Sequence, residues 1–443
     1  MAWAVAAVNY NSKRRPFTPY VEFYDGKLGS VYTLLTEMLV HRGDWKRKRA
    51  ERSPPGTAPG TLKLPRHFHL LLGTAQGKGI PWEEHGYYDR PTFGLVNYFF
   101  DFELLTQKAR LVSTLRRAEL TCRGGWPRDM PANLMSTACT AGGTACGIWE
   151  VMPPSFVFDP FGVTHDFWTS FHAAFVAKHS SDRGERGAPH AANVWIVKPS
   201  TGCKGNGIFL SSSFAEIADF LEEEWIRACY GEFASTWVVQ QYIANPLTLT
   251  GGRKCDMRVW VLLDADYSIW LYMHGVVRIA AVAYRPDALE DHFSHLTNHC
   301  IAQTHRAFGT YERSNELLYP EFDAQLARQY PQLLAKDPTC SILDDIILPQ
   351  IRRIVTQSLL AARPRLQPPP HLTSSGPRSF QLFGYDFVLD TDLRAWLCEV
   401  SARAAPNVAR HVCICTSTPP LMHARAPPTR NSATLGERLA GGG

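Results

Sequence analysis

Hydrophobic and polar positions follow two periods along the chain, and the first region contains both. Residues 20–26 alternate with the period of two that is typical of a strand, and the apolar positions of residues 31–39 recur with helical spacing. Residues 67–73 form a second apolar run of strand length, and residues 94–100 begin a further element. Because a strand followed by a helix begins a βαβ unit, this pattern predicts an N-terminal α/β region.

Strand-like runs dominate the rest of the chain, with two helical segments among them. Helical spacing is clear at residues 321–334 and 342–361. From about residue 411 the chain is rich in Pro, Ser, Thr, Arg and Gly without any period, so we expect a disordered tail at residues 411–443. The pattern predicts strands at residues 194–198, 207–211, 237–243, 257–263, 269–274, 379–389 and 394–400.

Length and composition indicate a globular protein of the cytoplasm. A chain of 443 residues is long enough for two or three domains, and 45% hydrophobic with 20% charged residues is ordinary for such proteins. The eleven cysteines are odd in number and scattered, which is typical of reduced thiols. The apolar start precedes its basic cluster, the reverse of a signal peptide, and no apolar run reaches the roughly 18 residues of a membrane span. We expect no membrane association.

The charge of the chain is mildly basic. The net charge of +5 is too small to indicate a nucleic-acid partner, and no nucleic-acid-binding module is recognisable. The basic run WKRKRAER at residues 45–52 is either the solvated end of a helix or a surface for an acidic partner.

A glycine-rich loop joins two apolar runs in the segment NVWIVKPSTGCKGNGIFLSS. It is not a P-loop, because the G-x-x-x-x-G-K-[ST] pattern is missing and the loop leads into a strand. Glycines would allow close approach to a ligand and lysines would bind polyphosphate, as in strand-loop-strand nucleotide sites. The alternative is a plain hairpin with a mobile loop. The residues concerned are Lys198, Gly202, Lys204, Gly205 and Gly207.

A second group of polar side chains lies in the segment WVVQQYIANPLTLTGGRKCDMRVWVLL. Lys254, Asp256 and Arg258 alternate along a strand and therefore share one face, which is either a solvated edge or the wall of a cavity. Gln240 and Gln241 would need partners in a buried strand, and an adenine could supply them.

Asp386 and Glu399 each lie among large apolar residues of two consecutive strands. Antiparallel strands would bring the two carboxylates face to face, and a divalent cation would offset their repulsion. Oxygen ligands beside phosphates indicate magnesium. The kinase motifs D-F-G and H-R-D are both missing.

The segment SHLTNHCIAQ places His295 and His299 four residues apart beside Cys300. A zinc site needs at least three placed ligands, and the glutamate of HExxH is missing. We therefore favour a pocket wall formed by Thr297 and Asn298.

These motifs in this order resemble the tubulin-tyrosine ligase family, a branch of the ATP-grasp fold, over residues 20 to 407. HLTNHC and the compact N-terminal region resemble the tyrosine-adding branch more than the glutamylating or glycylating branches. The resemblance implies an α/β (α+β) fold with ATP between the last two domains. The implied division is an N-terminal α/β domain at 1–105, a central domain at 106–240 and a C-terminal domain at 241–410.

The resemblance also implies roles for individual residues. Magnesium would be held by Asp386, Glu399 and Ser401. The reacting centre would be lined by Lys254, Asp256, Arg258, Arg278, Thr297 and Asn298. The nucleotide would be bound by Lys108, Lys198, Gly202, Lys204, Gly205, Gly207, Gln240, Gln241, Tyr242 and Ile243.

The activity implied is ATP-dependent addition of tyrosine to the C-terminal carboxylate of α-tubulin through an acylphosphate. The implied partners are Mg²⁺, free tyrosine and the acidic tail of tubulin, and we expect a monomer on the microtubule cytoskeleton. Ser401 stands where the family usually has asparagine, and Gln241 where lysine is common. One alternative is a glutamyl or glycyl ligase. The other, motivated by Ser401 and by a C-terminal end that does not resemble the family, is a catalytically impaired member that binds tubulin.

Overall fold

The structure is a computed structural model. It describes residues 95–122, 151–162, 164–184, 193–202, 205–232, 234–366, 378–402 and 422–424, and short segments between residues 20 and 72. The helices of eight or more residues are α2 (Lys108–Cys122), α3 (His165–Gly184), α4 (Phe214–Cys229), α7 (Tyr319–Gln329) and α9 (Leu348–Leu366). The shorter ones are α1 (Glu103–Thr106), α5 (His292–His295), α6 (His299–Ala302), α8 (Pro331–Lys336), a 3₁₀ turn (Arg313–Asn315) and a π-helical turn (Ile342–Ile347).

Four sheets are present in the described part of the chain. The strands up to residue 199 are β1 (Tyr20–Glu22), β2 (Arg47–Arg49), β3 (Glu51–Arg52), β4 (Leu62–Lys63), β5 (Leu70–Leu72), β6 (Leu95–Val96), β7 (Ser155–Phe158) and β8 (Trp195–Pro199). Those from residue 209 to 279 are β9 (Phe209–Ser211), β10 (Trp237–Gln241), β11 (Thr248–Leu249), β12 (Arg253–Leu263), β13 (Ile269–Leu271) and β14 (Val276–Ile279). The last are β15 (Glu316–Leu318), β16 (Arg378–Ser379), β17 (Gln381–Leu389), β18 (Ala395–Ser401) and β19 (Met422–Ala424).

The N-terminal sheet is parallel, with the order β16-β6-β5-β1-β2. Parallel pairing needs crossover connections, which agrees with the α/β pattern of the first region. The strand at one edge of this sheet, β16, is Arg378–Ser379, so the sheet also includes a segment from far along the chain.

A four-stranded antiparallel sheet, β7-β10-β8-β9, packs α3 and α4 against one face. Trp195 and Val197 of β8 point into that aromatic core, as do Trp237 and Val239 of β10. Because side chains alternate along a strand, the intervening positions point to the opposite face of the sheet. This alternation turns Lys198 away from the helices and towards the site described below.

The largest sheet is built on the long strand β12, which pairs with β11, β13, β14 and β17, while β18 pairs with β17. Cys255, Met257 and Val259 point into a large core that also contains α9. Lys254, Asp256 and Arg258 occupy the alternate positions, so the sequence-based assignment of these three charges to one face is confirmed.

Two further observations concern the tail and membranes. Within the segment from residue 411, Met422–Ala424 pairs with Ile269–Leu271. A strand at a sheet edge has free backbone groups that another strand can satisfy. Disorder of the tail stays a prediction. The rest of that segment lies outside the described residues. Among the helices that the structure describes, none is long and apolar enough to cross a bilayer.

Candidate active site

One cleft collects most of the side chains that the sequence singled out. It has about 890 Å³ of space, part of which is open to solvent, and both the β7-β10-β8-β9 sheet and the β12 sheet contribute to its walls. The predicted site residues that line it are Lys108, Lys198, Gly202, Gly205, Gln240, Gln241, Tyr242, Ile243, Lys254, Asp256, Arg278, Thr297, Asn298, Asp386 and Glu399.

Three of the predicted site residues that the structure describes are not part of that wall, and Lys204 lies outside the described residues. Gly207 has φ +71° in the turn before β9 and does not line the cleft. Arg258 does not line the cleft, but its guanidinium group donates to Asp386, which does. Ser401 pairs with Gly384 at the end of β18 and is half-buried outside the cleft lining.

Lys198 is buried at the end of β8. Its Nζ donates to Gln240 Oε1 at 2.7 Å, and Gln240 Nε2 donates to Ser155 Oγ at 2.8 Å. Gln240 therefore finds its side-chain partners in the protein and needs none from an adenine. Burial lowers the pKa of Lys198, and the nearby Lys108 and Lys254 ammonium groups lower it further. An anion bound in the cleft would raise the pKa of Lys198 again, because it stabilises the charged form.

Lys108 is the first residue of α2 and connects three elements. Its Nζ donates to the Gly202 carbonyl at 2.8 Å and lies 3.4 Å from Glu399 Oε2. The Ala109 amide donates to Ser200 Oγ at 3.1 Å, which fixes the start of α2 against the segment after β8. The glycine segment and Glu399 therefore meet at the Lys108 ammonium.

A hydrogen-bonded row of three buried side chains forms another part of the wall. Lys254 Nζ donates to Tyr242 Oη at 2.8 Å, and Tyr242 Oη lies 2.9 Å from His295 Nδ1. His295 Nε2 faces the carbonyl of Ala288 at 3.0 Å. Burial lowers the pKa of Lys254 and the pKa of His295.

Two carboxylates and two guanidinium groups form a compact cluster on β12, β14 and β17. Arg278 Nε donates to Asp256 Oδ1 at 2.9 Å, and Arg278 Nη2 lies 3.0 Å from Asp386 Oδ2. Arg258 Nη2 donates to Asp386 Oδ2 at 2.7 Å. Burial alone would raise the pKa of Asp386, but Arg258 and Arg278 together hold it well below its ordinary value. The four formal charges cancel within the cluster.

The magnesium prediction rests on Asp386 and Glu399, which are paired across β17 and β18. A β-bulge at Cys398 puts Cys398 and Glu399 in the cleft wall together. Both Asp386 oxygens already accept from arginines, whereas the Glu399 side chain is 35% exposed and forms an ion pair with Lys108.

These carboxylates fit a divalent cation in part. They are hard oxygen ligands, and nucleotide phosphates could supply the rest of the coordination shell. In the described part of the chain, no three His, Cys, Asp or Glu residues come together as a metal-binding group. A magnesium ion here would therefore depend on Glu399 first, with Asp386 beside it.

Sequence reasoning missed the apolar part of the cleft. Pro153, Ile196, Ile208, Val388 and Cys398 line it and offer the kind of surface on which a nucleobase can pack. Ile196 is two residues before Lys198, so alternation along β8 was the available signal. Cys398 reaches the wall through a bulge, which the apolar pattern of β18 does not reveal.

Comparison with known proteins agrees with the resemblance at the level of family. The model of the tubulin-tyrosine ligase family matches residues 130–416, which is more than half of the chain. The chain is 32% identical over 237 residues to the probable tubulin polyglutamylase TTLL2 of Mus musculus, covering 53% of this chain and 38% of the relative.

Two other relatives differ in their named products. The chain is 28% identical over 211 residues to the probable tubulin polyglutamylase ttll-9 of Caenorhabditis elegans, covering 47% of this chain and 45% of the relative. It is 28% identical over 213 residues to tubulin glycylase 3C of Tetrahymena thermophila, covering 47% and 18%. The chain thus spans less than half the length of these relatives. They support the glutamyl or glycyl alternative better than the tyrosine-adding branch.

Proposed function

Because the chain belongs to the tubulin-tyrosine ligase family, we propose that it uses ATP to join an amino acid to a carboxylate of tubulin. The observation that carries this proposal is the meeting of Lys108, Lys198, Lys254, Asp386 and Glu399 in one cleft. These residues come from β8, β12, β17, β18 and the start of α2, and only the fold brings them together.

The nucleotide would lie with its base on the apolar wall and its phosphates towards the lysines. Ile196 and Val388 would contact the base, while Lys108 and Lys198 would neutralise phosphate oxygens. Mg²⁺, held by Glu399 and Asp386, would supply charge neutralisation to the phosphates when it is bound. Such preorganised charge is the largest catalytic contribution expected in phosphoryl transfer.

The reaction would proceed in two steps, a phosphoryl transfer followed by an acyl transfer. A tubulin carboxylate oxygen attacks the γ-phosphorus of ATP, the bond to the β,γ-bridging oxygen breaks, and ADP leaves. The resulting acylphosphate is attacked at its carbonyl carbon by the amine of the incoming amino acid. The bond to the phosphate oxygen then breaks, inorganic phosphate leaves, and the amine nitrogen loses a proton as the amide forms. Arg278, which lines the cleft, would stabilise charge on the transferred group.

We propose glutamate as the first amino acid to test and glycine as the second. The basis is the named activity of the relatives, two of which are probable polyglutamylases and one a glycylase. Tyrosine remains a candidate because HLTNHC and the N-terminal region resemble the tyrosine-adding branch. A cytoplasmic location on microtubules follows as an expectation from the proposed substrate, and a monomeric state stays an expectation.

The test is incorporation of labelled glutamate, glycine and tyrosine into tubulin with Mg-ATP. We expect incorporation of glutamate or glycine, and a loss of at least about a hundredfold in Glu399→Gln. Glu222→Gln, at an exposed position of α4, is the matched control and should keep wild-type activity. Labelling by tyrosine alone would support the tyrosine-adding reading. No labelling by any of the three would indicate the catalytically impaired alternative.

A further inference from the structure

The hydrogen bonds that join Lys254, Tyr242 and His295 in a row each have a defined donor and acceptor. His295 Nε2 faces the carbonyl oxygen of Ala288 at 3.0 Å, and a carbonyl oxygen can only accept. Nε2 therefore carries the ring proton. Nδ1 of the neutral ring is then an acceptor, and its partner at 2.9 Å is the Tyr242 hydroxyl.

The hydroxyl of Tyr242 is consequently fixed in orientation. Its proton points to His295 Nδ1, so its lone pairs are directed to the Lys254 ammonium at 2.8 Å. Lys254 Nζ also lies 4.4 Å from the centroid of the Tyr242 ring. A hydroxyl without the histidine could rotate and present its proton to the ammonium, which would repel it.

We propose that His295 is a positioning residue for ATP binding: through Tyr242 it holds the Lys254 ammonium in the cleft, where that charge meets the phosphates of the nucleotide. This inference rests on the proposed function and gives a role to a histidine that the sequence suggested only as a weak zinc ligand. His295 itself, 1% exposed, is a lining residue that acts through its neighbours.

Packing supports a fixed ring at this position. The rings of Tyr242 and Tyr284 meet the His295 ring at steep angles, with centroids 5.6 Å and 5.3 Å away. Tyr284 Oη donates to the Ala244 carbonyl at 3.0 Å, so it is tied to the chain just after β10. The titratable groups that act on Lys254 besides Tyr242 and His295 are Lys198, Cys255, Asp256, Tyr284 and Cys398.

The first experiment measures the dissociation constant of Mg-ATP by calorimetry for wild type and two histidine variants. His295→Phe keeps a ring without an acceptor and should weaken ATP binding about tenfold, the size of one charge-assisted hydrogen bond. His295→Gln offers an amide oxygen to the Tyr242 hydroxyl and should stay within about threefold of wild type. His292→Phe, at an exposed position of the same helix, should bind ATP as wild type does.

A double-mutant cycle separates positioning from simple structural support. If His295 acts through Lys254, His295→Phe should change ATP affinity little in a Lys254→Gln background, and it should likewise add little to Tyr242→Phe. An equal loss in all backgrounds, or no loss in His295→Phe, would overturn the inference. Thermal denaturation of every variant excludes those that are unfolded from the comparison.

A spectroscopic readout tests the direction of the row even if a variant folds poorly. The ring signals of His295 are assigned in ¹⁵N-histidine-labelled protein as those that are present in wild type and absent in His295→Phe. If that variant does not fold, His295→Gln serves the same purpose. The assigned signals should be those of a neutral ring protonated at Nε2. A ring protonated at Nδ1 would contradict the proposal. Failure of the wild-type protein to bind Mg-ATP would instead contradict the proposed function.

Discussion

Asp386 and Glu399 face each other across β17 and β18, yet they are bound by different cations. Asp386 is held by Arg258 and Arg278, and Glu399 touches Lys108 at 3.4 Å. The two carboxylates that looked equivalent in the sequence therefore have different surroundings. Asp386 is part of a neutral buried cluster, and Glu399 is the open carboxylate of the cleft.

This difference predicts that two similar substitutions destabilise the protein to different extents. Asp386→Asn leaves two buried guanidinium groups short of a charge partner and should lower the free energy of unfolding by about 3–5 kcal/mol. Glu399→Gln breaks only the partly exposed ion pair with Lys108, so it should lower the free energy of unfolding by about 1 kcal/mol or less. Denaturant unfolding of both variants measures the effect. Equal destabilisation by the two changes would refute this assignment.

The buried lysines predict that nucleotide binding takes up protons at alkaline pH. Burial lowers the pKa of Lys198 and of Lys254 in the free protein, and phosphate charges raise these pKa values again. The complex then holds more protons than the free protein, so ATP affinity should fall as the pH rises through the free-protein pKa values.

The measurement for this linkage is calorimetric titration at about pH 8.5 in two buffers of different ionisation enthalpy, where the ATP phosphates are already deprotonated. Lys198→Met should reduce the proton uptake. Lys336→Met, at an exposed position of α8, should leave it unchanged. Proton release on binding would contradict the predicted rise of the lysine pKa values.

Gly202 should not tolerate even a methyl group. A Cβ at this position would lie 2.3 Å from Cγ of the Pro199 ring, and the Gly202 carbonyl is the acceptor of Lys108 Nζ. Gly202→Ala should move that carbonyl and weaken ATP binding about tenfold. Gly162→Ala is the matched control, because its Cβ would make ordinary contacts of 3.5 Å with Asp159. Unchanged affinity in Gly202→Ala would argue against a role for this loop.

Cys398 should report on occupancy of the cleft. It lines the wall, and burial raises the pKa of its thiol despite the opposing effect of Lys198 and Lys254. We expect slow alkylation of Cys398, further slowed by Mg-ATP, and faster alkylation of the exposed Cys229, unaffected by nucleotide. Mass spectrometric mapping measures both sites in one sample. An alkylation rate of Cys398 that is the same with and without Mg-ATP would indicate that ATP binds elsewhere.

The sequence predicted those parts of the site that follow from alternation along single strands. Lys254, Asp256 and Arg258 share a face as expected, and Asp386 meets Glu399 across two strands. For the three charges of β12 the period of two along the strand was enough to place the side chains. For Asp386 and Glu399 the signal was the antiparallel order of two consecutive strands.

The remaining features depend on contacts between distant segments. His295 and Tyr242 are 53 residues apart, and no period links a short helix to the end of β10. The identity of the partner that satisfies Gln240 also needed the fold, because Lys198 comes from a neighbouring strand. The helix α3 was not predicted, although Phe167, Phe171 and Phe175 recur every four residues and pack in the core beside the sheet.

The most direct test of the proposed chemistry follows an oxygen atom. Tubulin with ¹⁸O in its side-chain and terminal carboxylates is incubated with this protein, Mg-ATP and the amino acid that it accepts. The account predicts that the inorganic phosphate released carries one ¹⁸O atom for each amide bond formed, because the carboxylate oxygen stays on the phosphorus. Amide formation with unlabelled phosphate, or no ATP-dependent amide formation with glutamate, glycine or tyrosine, would contradict it.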